Sequence, residues 1–219
     1  MSKPGFETMR AAMIDRQLRT TGVSDSRLLA AFADVPRELF VDRTLTGVAY
    51  VDAPVSVGHG RSMMEPLTLG RLLEAALPGA DESVLIIGGA TGYSAAIIAR
   101  LAARVTMVEE DAALADVARA TLATLGVDNV VIVEATHTGG APGGAPYDLL
   151  LLDGAVAVIP DSLLAQVRDG GRIAGVQMVN GVGSAMTGVM TSGGLGYETF
   201  AEVAATPLPG FGRETTFVF

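Results

Sequence analysis

The stretch VLIIGGATGYSAA, Val84–Ala96, decides the fold. Val84 to Ile87 is a short apolar run, as expected of a strand buried on both faces of a parallel sheet. Gly88, Gly89 and Gly92 follow, and from Tyr93 to Ala103 the chain reads as a helix. A strand that passes through a glycine-rich turn into a helix lets a ligand approach the backbone and offers it free N–H groups. Glu109 ends the next predicted strand, Val105–Val108, about 20 residues beyond the turn. An acidic residue at that place accepts hydrogen bonds from ribose hydroxyls, so turn and carboxylate together point to an adenosine-type ligand.

Working outward, strand and helix patterns alternate on both sides. Leu67–Leu77 and Ala112–Leu125 read as helices, Val130–Val133 and Leu149–Leu152 as strands. A helix over Ser162–Arg168 leads into a strand over Arg172–Gln177. Two strand-like stretches, Glu198–Ala204 and Thr215–Phe219, close the chain without a helix between them. The alternation predicts a mostly parallel seven-stranded sheet covered on both faces, and the helix-free ending predicts one antiparallel edge strand. Before it, Met9, Ala12, Met13, Gln17 and Leu18 form a helical stripe closed by Gly22. A second helix over Asp25–Asp34 starts on Ser24 or Asp25 and stops before Pro36.

Composition excludes several functions. The formal net charge of −9 argues against nucleic acid, whose phosphates need clustered cations. Cysteine is absent, which removes thiolate nucleophiles, disulfides and cysteine metal sites, and makes a reducing cytoplasm the expected compartment. His59 and His137 are far apart in sequence, so no metal site is expected; both read as surface residues, with His137 in a loop that would face a ligand. Neither uncharged stretch, Ser83–Ala99 or Ile173–Tyr197, reads as a membrane span, since glycines break both. The start, MSKPGFETMRAAM, lacks the apolar core of a signal peptide. The only lysine is Lys3, so the Tyr-x-x-x-Lys pair of short-chain dehydrogenases is missing; so is a G-x-S-x-G hydrolase elbow.

The chain resembles the protein-L-isoaspartate O-methyltransferase family along nearly its whole length. The resemblance is carried by MIDRQLRTTG (Met13–Gly22), VPRELFV (Val35–Val41), AYVDAPVSVGHG (Ala49–Gly60), VLIIGGATGYSAA (Val84–Ala96), LGVDNV (Leu125–Val130), APYD (Ala145–Asp148) and IPDSLLAQVRDGG (Ile159–Gly171). It implies a Rossmann-like class I methyltransferase fold with an N-terminal helical addition. Residues 1–66 would form the helical and substrate-loop region and 67–219 the Rossmann domain, as one compact unit. It further implies S-adenosylmethionine as cofactor and an isoaspartyl-type carboxylate on a protein or peptide as methyl acceptor. In such a reaction the acceptor carboxylate is the nucleophile, so catalysis is mainly alignment and desolvation. Gly88, Gly92 and Glu109, with Ala135 and Thr136 after the third strand, would line the cofactor; Asp52, Arg61 and Ser62 would face the acceptor.

The departures fall on functional positions. The family's loop reads roughly G-Q-T-I-S-Q-P, where this chain has Gly60-Arg61-Ser62-Met63-Met64-Glu65-Pro66. Met64 cannot donate a hydrogen bond to a carboxylate, and Glu65 repels one unless Arg61 pairs with either charge. Ile86 replaces an acidic residue two before the first glycine, and Ala90 replaces a glycine. Glu134-Ala135-Thr136 stands for G-D-G, leaving Ala135 where an aspartate would meet the adenine edge unless Glu134 or Asp153 substitutes. These changes predict weak or absent standard isoaspartyl activity. They also open two alternatives, a methyltransferase of this family with another substrate and a non-catalytic relative that keeps the fold as a binding or regulatory module.

Overall fold

The computed structural model describes residues 5–212. Helix α1 (Phe6–Met13) continues through a π turn and a 3₁₀ turn to Gly22, whose φ of 97° ends it in the left-handed region. Asp25 caps α2 (Ser26–Asp34) by accepting from the backbone N–H groups of Arg27 and Leu28. A two-stranded hairpin follows, β1 (Val55–Gly58) and β2 (Arg61–Met63), which the sequence reading did not include. Helix α3 (Pro66–Ala75) then leads to the main sheet.

That sheet contains β3 (Ser83–Ile87), β4 (Arg104–Glu109), β5 (Val130–Glu134), β6 (Tyr147–Val156), β7 (Val167–Val179), β8 (Val182–Thr191) and β9 (Gly194–Glu202). Its order is β5-β4-β3-β6-β7-β8-β9. The first five strands in that order pair in parallel, while β8 runs antiparallel to both neighbours. The seven-stranded, mostly parallel sheet is as expected, but its antiparallel strand lies second from the edge. Strand β8 was not anticipated, and β9 begins earlier than expected. The stretch Thr215–Phe219 lies outside the described residues.

Successive residues of β3 point to opposite faces. Val84 and Ile86 enter a core shared with α1 to α4 and with Ala118 and Leu122 of α5 (Ala112–Thr124). Leu85 and Ile87 enter a second core, covered by Leu163 of α6 (Asp161–Leu164) and by Leu208 and Phe211. Helix α4 (Tyr93–Ile98) is shorter than expected, and α6 is a single turn. Gln166 explains the stop after α6. Its side chain bonds to the backbone of Ala141, Gly139 and Ser162, and its carbonyl accepts from Tyr147 N.

The segment after β9 returns to the middle of the sheet. Ala155 N donates to the Thr206 carbonyl at 2.9 Å, and Leu208 N donates to the Ala155 carbonyl at 2.8 Å. This strap therefore lies on the C-terminal end of β6, beside the turn that follows β3. In open α/β sheets the crevice outside the C-terminal strand ends is where ligands bind.

Candidate active site

The turn after β3 adopts left-handed backbone at Gly88 (φ 77°), Ala90 (φ 48°) and Gly92 (φ 94°). For Ala90 that conformation costs roughly 1–2 kcal/mol. It is held there by its N–H, which donates to Glu109 Oε2 at 2.8 Å. Gly92 has a packing role: a Cβ on it would sit 3.1 Å from the Ala118 Cβ of α5.

Glu109, at the end of β4, is fully buried. Arg61 Nη1 donates to its two oxygens at 3.0 and 2.9 Å. Asp111 N donates to Oε1 at 3.2 Å, and His137 Nε2 lies 3.2 Å from the same oxygen. With the Ala90 N–H, four groups, counting His137 in the form that carries a proton on Nε2, make five contacts with a group of about four lone-pair sites. Burial alone would raise the Glu109 pKa. The His137 hydrogen bond and the Arg61 charge outweigh it and hold the group at about 2. Glu109 is thus an ionised carboxylate with no acceptor capacity left over.

Arg61 reaches this place from the start of β2. Its Nη2 donates to the Gly88 carbonyl at 2.6 Å, and the residue is only 4% exposed. Leu208 covers the other side of the turn: a Cβ on Gly88 would lie 2.5 Å from Leu208 Cδ2 and 2.9 Å from Arg61 Nη2. The space a ligand would use beside Gly88 is filled by these two side chains. One cavity of about 210 Å³ remains at the crevice mouth, lined by His59, Arg61, Glu109, Glu110, Asp111 and Pro209. Beneath, Ser62, Ala90, Ser94 and Asp153 border a void of about 10 Å³. His59 Nδ1 sits 2.6 Å from Asp111 Oδ2, so the hairpin is fastened across the crevice at two points.

Asp153, in β6, accepts from Ser94 Oγ at 2.5 Å. Burial pushes its pKa up to about 6, against the Ser94 bond and the charges of Arg61 and Arg37. Arg37 is fully buried, 4.7 Å from the Tyr93 ring centroid, and donates to the carbonyls of Ala49 and Met64 at 2.6 Å each. It ties the loop before α3 to the segment around Ala49 and to Tyr93 of α4. Glu65, next to it, has a pKa raised by burial, opposed by a hydrogen bond from Thr68.

The structure brings Arg61, Gly88 and Glu109 into contact, and sets Ser62 one layer below them. Met63 and Met64 are packed, consistent with a core role. Asp52 and Thr136 are exposed, and Ala135 packs at the margin of the second core. Arg61, expected on the acceptor side, is engaged with the carboxylate expected to hold ribose. His137, read as a surface residue, is completely buried, because its ring is drawn in against Glu109. Arg37 and Leu208 were not singled out. Arg37 has one cue, a cation inside the apolar run VPRELFV; Leu208 has none, because only the folded strap brings it to the turn.

A parallel sheet ordered in this way, with a glycine turn after its first strand and an acid ending the second, defines the S-adenosylmethionine-dependent methyltransferase class of α/β fold. The family model for protein-L-isoaspartate(D-aspartate) O-methyltransferase matches residues 8–187. A protein-L-isoaspartate O-methyltransferase from Rhodopseudomonas palustris is 39% identical over 168 residues, 77% of this chain and 69% of the relative. One from Methanoregula boonei is 41% identical over 164 residues, 75% of this chain and 76% of the relative. A solved protein-L-isoaspartate O-methyltransferase superposes with a TM-score of 0.83 at 24% identity, covering 92% of this chain and 66% of that one. A Plasmodium falciparum structure described as the same enzyme type, in complex with S-adenosyl-L-homocysteine, gives 0.76 at 15% identity, covering 94% and 99%. The chain belongs to the protein-L-isoaspartate O-methyltransferase family, S-adenosylmethionine-dependent carboxyl methyltransferases that act on proteins carrying isoaspartyl residues. Among the described residues, no helix is long and apolar enough to cross a membrane.

S-adenosylmethionine does not fit the crevice as it stands. The carboxylate that would accept ribose hydroxyls is saturated, Leu208 and Arg61 lie on Gly88, and the cavities of about 210 and 10 Å³ fall below the ~300 Å³ at which small-molecule pockets begin.

Proposed function

We propose that this chain is a cytoplasmic carboxyl methyltransferase that uses S-adenosylmethionine to modify isoaspartyl-type carboxylates on proteins or peptides. The reading is carried by Glu109, which ends β4 beside the Gly88 turn, where ribose recognition belongs in this fold. The names of relatives about two-fifths identical to it supply the acceptor class. In this reading Gly88, Gly92 and Glu109, flanked by Ala135 and Thr136, form the cofactor side, while Asp52 and Ser62 border the acceptor side. Residues 1–66 serve acceptor binding and 67–219 carry the Rossmann unit.

The test is transfer of label from methyl-labelled S-adenosylmethionine to an isoaspartyl peptide, with the aspartyl peptide as control. Slow transfer to the isoaspartyl peptide alone is expected. The double variant Met64→Ser, Glu65→Gln should be faster by roughly one to two orders of magnitude, since it restores one hydrogen bond to a charged group and removes a like charge. No transfer by either protein would contradict the proposal. The saturated Glu109 favours a second reading, a relative that keeps the fold without catalysis. Failure of both proteins to methylate, with every fold intact, is the outcome that reading requires.

A further inference from the structure

We infer that Arg61 and Leu208 act as internal occupants of the nucleoside crevice, so that the fold as described is closed to its cofactor and opens only when both side chains leave. The inference rests on the reading of Glu109 as the ribose acceptor. Three independent contacts carry it. The guanidinium of Arg61 gives Glu109 the paired hydrogen bonds that two ribose hydroxyls would give, at 3.0 and 2.9 Å. Its second terminal nitrogen bonds the Gly88 carbonyl, so the group spans from turn to carboxylate as a ligand would. Leu208 rests on Gly88 and also on Gly154, where a Cβ would lie 2.7 Å from Leu208 Cδ2. One apolar side chain thereby closes the ends of both β3 and β6.

The two occupants come from different parts of the chain. Arg61 lies on the β1–β2 hairpin, whose tip is also held by the His59–Asp111 pair. Leu208 lies on the strap after β9, beyond residue 187, where the family model ends. The closing device thus combines a loop inside the family's match with a segment outside it. A buried Arg–carboxylate pair, here with one guanidinium nitrogen on both oxygens and the other on the Gly88 carbonyl, is charge-assisted, and a ligand must replace its bonds to displace it. Opening parts the hairpin tip from Asp111 and takes the strap off its backbone bonds to Ala155, while the pairing between the sheet strands need not change.

The experiment is calorimetric titration of S-adenosylhomocysteine into the full chain, its Arg61→Gln variant and its Leu208→Ala variant, with folding of each checked by circular dichroism and thermal melting. Gln is the residue at this place in the family's loop pattern. Leu208→Ala leaves the Arg61–Glu109 pair intact, so it remains informative if Arg61→Gln fails to fold. The expected result is affinity at least tenfold tighter in each folded variant than in the unaltered chain. Equal affinity in all three would overturn the occlusion while leaving the methyltransferase reading in place. No binding by either single variant or by the folded double variant Arg61→Gln, Leu208→Ala would overturn it as well, because the occupants would then not be the barrier, and would remove the cofactor reading with it.

Discussion

Glu109 and Asp153 are carboxylates at the same end of the sheet whose proton affinities move in opposite directions. Glu109 has enough donors to outweigh its burial and is held at about 2, below an ordinary 4.5; Asp153 has too few and rises to about 6, above an ordinary 3.8. A depressed carboxylate contributes stability above its unfolded pKa and loses it as pH falls through the folded value. Glu109 should therefore withdraw about 3 kcal/mol between pH 4.5 and 2. Glu109→Gln strands the buried Arg61 charge and should cost about 3–5 kcal/mol near pH 7, the deficit shrinking toward pH 2 as the parent also becomes neutral. A raised carboxylate has the reverse sign: Asp153 costs stability as pH rises from 3.8 through 6. Asp153→Asn should raise stability by up to about 3 kcal/mol at pH 7.5, with no gain below pH 4. Urea unfolding across pH reads both, and parallel curves for parent and variants would contradict these assignments. The place of Glu109 at the end of the strand after the glycine turn was legible from its distance to Gly88. Its set of donors was not, since Arg61 lies 48 residues away in sequence and His137 28.

At the scale of elements, local chemistry written in neighbouring residues was readable. Asp25 and Gly22 mark real helix ends, and the strand Val84–Ile87 and the turn after it fall where the apolar run and glycines place them. The hairpin joining β7 to β8 also had a signal. Asn180-Gly181 occupies the two left-handed positions of its turn, with Val179 paired to Val182. It was obscured because β8 is built of small residues, VGSAMTGVMT, without clean alternation. Helix α6 stops after one turn because the Gln166 side chain bonds the backbone of Ala141 and Gly139 in another segment as well as that of Ser162, a tertiary effect that local pattern does not carry. The glycine turn gives a sharp element-level expectation. Gly92→Ala puts a methyl 3.1 Å from Ala118 and a side chain at φ 94°, so it should lower unfolding free energy by at least about 1–2 kcal/mol. An unchanged denaturation midpoint would show that α4 and α5 are not packed as described.

For the whole molecule, strand and helix alternation sufficed to give a mostly parallel seven-stranded sheet, because covering both of its faces demands that order of elements. It did not show what closes the crevice. Leu208 reaches Gly88 only after β9 has returned the chain to the end of β6, and Arg61 reaches Glu109 only once the hairpin lies across the strand ends. The same fold therefore places Arg61 and Leu208 against the glycine turn and the acid proposed to hold the nucleoside. The most direct measurement is a crystal structure of the unaltered chain grown with a twofold excess of S-adenosylhomocysteine. The expected electron density shows Arg61 Nη1 on both oxygens of Glu109, Leu208 on Gly88, and no nucleoside between them. Ribose hydroxyls on Glu109, with Arg61 swung into solvent, would contradict the closed crevice.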